Sequence, residues 1–82
     1  MLRLKEIRLN KGLTQQELAI KLGITQQSIA RYESEARKLD QDLIIKICLV
    51  LDVTPDELLG FEEAYKKYSE YLQSLDEEEQ VN

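Results

Sequence analysis

The side chains best suited to read another molecule lie in one short run, Thr25-Gln26-Gln27-Ser28-Ile29-Ala30-Arg31. A glutamine amide offers donor and acceptor in one plane, so it can make two parallel hydrogen bonds to the N6/N7 edge of an adenine. An arginine guanidinium does the same for the O6/N7 edge of guanine, and a serine hydroxyl can touch either. Gln26, Gln27, Ser28 and Arg31 are therefore candidate base-contacting residues, provided one surface carries them together. An exposed glutamine alone is an ordinary solvated position; two at the start of a helix, after a sharp turn, are not. Catalytic chemistry lacks its parts. The chain has no His, a single cysteine (Cys48) and no glycine-rich phosphate loop, so no enzyme, metal site or cofactor is expected.

The elements that must position this run are two short helices around one turn. Thr14 followed three residues later by Glu17 is a capping box, which starts a helix at Gln15. Leu18, Ala19 and Leu22 recur at helical spacing and give it one apolar face. Gly23 supplies the left-handed residue that ends it. Thr25 caps the next helix, which sends Ile29 and Tyr32 inward and leaves Gln26, Gln27, Ser28 and Arg31 on the opposite face. Periodicity alone gives a helical hairpin; the outward side chains suggest that its second helix enters a DNA major groove.

The run Gly12-Leu-Thr-Gln-Gln-Glu-Leu-Ala, continuing through Lys21-Leu-Gly-Ile-Thr-Gln-Gln-Ser-Ile29, resembles the Cro/cI-type helix-turn-helix family of phage repressors and related bacterial regulators. Its second helix is most similar to that of 434-type phage repressors, and the resemblance spans roughly residues 2–60. It implies an all-α, lambda repressor-like five-helix DNA-binding domain with an additional C-terminal helix. It also implies a homodimeric repressor reading a palindromic operator in double-stranded DNA. Gln15 matches the family's phosphate-contacting glutamine, where a helix N-terminus favours an anion; Thr25, Arg37 and Lys38 join it as expected phosphate contacts. Arg8 and Glu33 match a structural ion pair that clamps the first helix to the third. The chain departs from the family in carrying Glu35 in place of a glycine and Leu39 in place of a proline. With no glycine, either a left-handed residue is strained by about 1 kcal/mol or the third helix runs on.

Net charge is −5, an unpromising total for a nucleic-acid ligand, but it is unevenly spread. Residues 1–38 hold eight basic and four acidic side chains, for +4. Residues 39–60 hold one basic and five acidic, for −4, and residues 61–82 two basic and seven acidic, for −5. The half with the helix pair is the basic one, which suits a localised electrostatic footprint. With 82 residues the chain is one small domain, and its lone cysteine cannot form an internal disulfide. Nothing resembles a signal peptide or a membrane span, so a cytoplasmic protein is expected.

Elsewhere the spacing predicts a first helix over Leu2–Lys11, a fourth over Gln41–Leu51 after an Asp40 cap, and a short fifth introduced by Thr54-Pro55 and stopped by Gly60. Cys48 falls on the apolar face of the fourth and reads as a small core residue. Phe61, Tyr65, Tyr68, Leu72 and Leu75 are spaced 4, 3, 4, 3, a heptad seam over residues 61–75, with an acidic tail at 76–82. Two uses remain open for that seam. It pairs with a second copy to form a homodimer, or it folds back over the domain's own core. Rival functions are an antitoxin or regulator whose C-terminal helix binds a partner protein, and a restriction–modification controller.

Overall fold

In a computed structural model, the backbone of residues 1–81 and the side chains of residues 1–76 are described. They form six helices: α1 (Leu4–Asn10), α2 (Gln15–Leu22), α3 (Gln26–Glu33), α4 (Gln41–Leu51), α5 (Pro55–Leu59) and α6 (Phe61–Val81). The described residues contain no strand, and the architecture is the expected all-α one, five helices with a sixth appended.

Local chemistry sets most helix ends. Thr14 Oγ1 accepts from the Glu17 backbone N–H at 3.0 Å while Glu17 Oε1 accepts from the Thr14 N–H at 3.1 Å. Those bonds stabilise the carboxylate and hold the Glu17 carboxyl below its usual range. A lowered pKa stabilises the fold above the usual carboxylate range, and that contribution fades as the pH falls through the folded-state value. Thr25, Asp40 and Thr54 cap α3, α4 and α5 in the same i to i+3 manner. Gly23 and Gly60 end α2 and α5 in left-handed conformations.

Three expected boundaries shift. Helix α1 spans Leu4–Asn10 rather than Leu2–Lys11, with Arg3 as its N-cap, and the Arg3 N–H donates to the Leu58 carbonyl at 2.8 Å. That bond ties the N-terminal residues to the end of α5, and a Cβ at Gly60 would meet the Met1 carbonyl oxygen at 2.5 Å. Helix α6 continues to Val81, well past position 75; the side chains from 77 onward, and with them most of the expected acidic tail, lie outside the described residues.

The core is built from the inner faces of α1 to α5. Leu4, Leu18, Ile29, Ile47, Leu51 and Leu58 are almost wholly buried, with Ala19, Leu22, Tyr32 and Leu43 around them. Leu13, Leu39 and Cys48 close its edges, half-buried. Burial, with a smaller push from the Glu57 carboxylate, raises the Cys48 thiol, which keeps it protonated and unreactive. Among the described side chains, none of α6 belongs to the core. Rooted on α5, this helix gives the molecule its elongated extents of 55 × 22 × 20 Å.

The loop after α3 resolves the choice posed by the missing glycine. Helix α3 stops at Glu33, and Glu35 takes the left-handed conformation with φ of 62°. Glycine there relieves the Cβ clash, against a greater loss of chain entropy on folding. Glu35→Gly is therefore expected to raise stability by about 0.5–1 kcal/mol, measured by urea unfolding. Equal or lower stability would mean that Glu35 makes compensating contacts. Asp52 also adopts φ of 55° at the end of α4, a conformation that aspartate tolerates better than most residues.

Candidate nucleic-acid interface

Helix α3 packs against α2 and α1, with Ile29 and Tyr32 as its buried contacts. That anchoring leaves Gln26, Gln27 and Arg31 exposed and Ser28 half-exposed. Gln26 and Gln27 occupy the first two positions of α3, and Arg31 lies one turn further along. Thr25 is the cap itself: its Oγ1 accepts from the Ser28 N–H at 3.1 Å and shares a hydrogen bond with Ser28 Oγ at 2.9 Å. The two hydroxyls thus hold each other at the entry to the helix.

Beneath this surface sits a buried ion pair. Arg8 Nε donates to Glu33 Oε2 at 2.6 Å and Arg8 Nη2 to Glu33 Oε1 at 3.1 Å, a two-pronged contact between side chains 6% and 4% exposed. The third guanidinium nitrogen, Nη1, donates to the Leu13 carbonyl at 2.7 Å. One arginine thereby joins α1, the α1–α2 turn and the end of α3. Among the described residues, no buried side-chain nitrogen or oxygen lacks a partner.

Gln15 connects that pair to the outer surface. Its Nε2 donates to Glu33 Oε1 at 3.0 Å, and its Oε1 accepts from Gln26 Nε2 at 3.5 Å. A chain therefore runs Arg8, Glu33, Gln15, Gln26, from the interior to the first exposed residue of α3. The spacing of Gln15 and Glu33 carries no local signal for this contact, since 18 positions separate them. The hint was a matter of valence: a carboxylate has about four acceptor sites, and Arg8 fills only two of them.

Arg37 and Lys38 are exposed in the loop that follows α3. The Arg37 guanidinium lies 5.9 Å from the centroid of the Tyr32 ring, and its backbone N–H donates to the Arg31 carbonyl at 3.3 Å. Those contacts place Arg37 beside the C-terminal end of α3. Phe61, Tyr65, Tyr68, Leu72 and Leu75 are all exposed along α6. No described helix is long and apolar enough to cross a membrane.

Comparison with known proteins agrees with this geometry. The helix-turn-helix family pattern matches residues 4–58, which are α1 to the penultimate residue of α5. The chain is 42% identical over 65 residues to the HTH-type transcriptional regulator ImmR of Bacillus subtilis, covering 79% of this chain and 51% of that protein. It is also 42% identical over 67 residues to the uncharacterized HTH-type transcriptional regulator YqaE of the same organism, covering 82% and 58%. A further relative there is the SPbeta prophage-derived uncharacterized HTH-type transcriptional regulator YonR, 40% identical over 57 residues, with 70% and 53% covered. The chain spans about half the length of these relatives. From the capped α2–α3 pair, the all-helical core and the match over 4–58, the chain belongs to the Cro/cI-type helix-turn-helix family.

Proposed function

We propose that the protein is a sequence-specific double-stranded DNA-binding transcriptional regulator, acting as a homodimeric repressor on a palindromic operator. The reading rests on one observation: Gln26, Gln27 and Arg31 project from the first turns of a rigidly seated α3, in the basic part of the chain. On this reading Gln26, Gln27, Ser28 and Arg31 meet base edges in the major groove. Gln15, Thr25, Arg37 and Lys38 meet the flanking phosphates, and the α6 seam from Phe61 to Leu75 joins the two protomers.

The likeness of α3 to 434-type repressors gives the reading a base sequence. The half-site begins ACAA, with Gln26 on the first adenine and Gln27 on the guanine paired to the next cytosine. Arg31 stands where that helix carries glutamine, so the fourth base pair should drift toward one containing guanine. Two half-sites should lie roughly 34 Å apart on one face of the duplex. The test is selection from a random DNA pool, repeated with Gln26→Ala. That change is expected to cost about 1–3 kcal/mol and to relax selection at the first position alone. A selected motif untouched by changes at Gln26 and Gln27 removes α3 as the reading element.

A second reading, in which α6 binds a different protein, is favoured by its tyrosine-rich exposed face. Co-purification of one stoichiometric partner, with no DNA footprint by the protein alone, would replace the repressor with it.

A further inference from the structure

Helix α6 carries an exposed apolar face. Phe61, Tyr65, Tyr68 and Leu72 are about half to two-thirds exposed and line one shallow groove with Ala64 and Ser69. The Phe61 and Tyr65 rings already stack along it, 5.8 Å between centroids. From the domain that roots it, the helix extends 21 residues, about 31 Å at 1.5 Å per residue.

We infer that a second copy of α6 covers this face as a parallel, in-register two-stranded coiled coil; the inference rests on the homodimer proposed above and fixes its geometry. The 4, 3, 4, 3 spacing assigns Tyr65 and Leu72 to heptad position a and Phe61, Tyr68 and Leu75 to position d. In a parallel pair, each of the five meets its own counterpart, giving five closed layers. The flanking g-to-e contacts then set Ala64 against Ser69 and Tyr71 against Asp76, with no like charges facing. A tyrosine hydroxyl opposite a carboxylate is a hydrogen bond waiting to form.

Antiparallel alignments do worse. One sets Phe61 against Leu72 and Tyr65 against Tyr68, which makes four layers and strands Leu75 in water. The other pairs Tyr65 with Leu75 and Tyr68 with Leu72, strands Phe61, and brings Glu62 against Asp76. Each loses one layer of the seam, and the second adds a like-charge contact. The parallel pair alone uses every apolar residue that the helix exposes at a and d.

Five layers of this composition bury on the order of 1,000 Å² in total, near the lower bound for a specific interface. The pair therefore forms reversibly in solution and is reinforced when two half-sites hold the protomers together.

Cysteine cross-linking of the full chain tests the orientation. In a Cys48→Ser background, Leu72→Cys and Leu75→Cys are each expected to form a disulfide to their own copy on mild oxidation, doubling the mass of most of the protein. Both positions are exposed and outside the core, so folding is unaffected, as circular dichroism would verify. If instead disulfides form chiefly when Tyr65→Cys and Leu75→Cys proteins are mixed, the pair is antiparallel; the orientation is overturned and the homodimer stands. If sedimentation finds the unmodified protein monomeric at high micromolar concentration and no cross-link forms, both fall. The same holds if it is monomeric with its tyrosines shielded from solvent.

Discussion

Glu33→Ala is expected to lower folding stability by about 3–5 kcal/mol, the effect of breaking a buried pair rather than replacing it. The substitution strands the Arg8 guanidinium at 6% side-chain exposure, with only the Leu13 carbonyl as partner. It also removes the acceptor that holds Gln15. A domain of this size has about 5 kcal/mol to lose, so the variant should be largely unfolded near 37 °C. Arg8→Met alone should be nearly as damaging, since it leaves the carboxylate buried with one neutral donor. The double variant, Arg8→Met with Glu33→Leu, should recover most of the loss, because two apolar groups of similar volume carry no desolvation penalty. Urea unfolding of these proteins, with the Glu33→Leu single variant added, closes the cycle. Single-variant losses below about 1 kcal/mol would mean that water reaches the pair freely.

The second large effect concerns α6. Deleting residues 61–82 is expected to leave a folded protein, because among the described residues every buried core side chain precedes position 60. That protein should be monomeric and should bind a single half-site about as well as the full chain. Its affinity for a two-half-site operator should fall by about 10²–10⁴-fold, the usual loss when a second contact ceases to be intramolecular. Titrations on one-site and two-site duplexes read the difference directly. An unfolded truncation would make α6 part of the core after all. A truncation that still dimerises would direct attention to Ile45 and Leu49, apolar and exposed on α4.

Features encoded within four or five residues could be read from the sequence. The Thr14–Glu17 box, the Thr25 and Thr54 caps, Pro55 at the start of α5, and the glycines at 23 and 60 each act on their own turn. The limits of α4 followed from Asp40 and the apolar stripe. Contacts between distant residues were harder. The bond from the Arg3 N–H to the Leu58 carbonyl joins residues more than fifty positions apart. The Glu35 turn was visible only as a choice of two, because a non-glycine left-handed residue and a longer helix are close in energy. The surface of α3 could be anticipated from its spacing, but the bond from Gln15 to Glu33 depends on how α2 and α3 are docked. The length of α6 exceeded its apolar pattern, since an acidic run with good helix formers propagates a helix with no core to reward it.

The Gln15 chain also has a polarity. An ionised carboxylate can only accept hydrogen bonds, so Glu33 obliges Gln15 to turn its NH₂ inward and its oxygen outward. That oxygen in turn draws one N–H of Gln26, which leaves Gln26 with a free oxygen and a single remaining N–H. On the proposed reading, those are the acceptor for an adenine N6 amino group and the donor for its N7. Rotated by half a turn, the same amide would lose its bond to Gln15 and present the wrong edge. A negative charge sealed inside the domain thus sets the handedness of an amide at the surface.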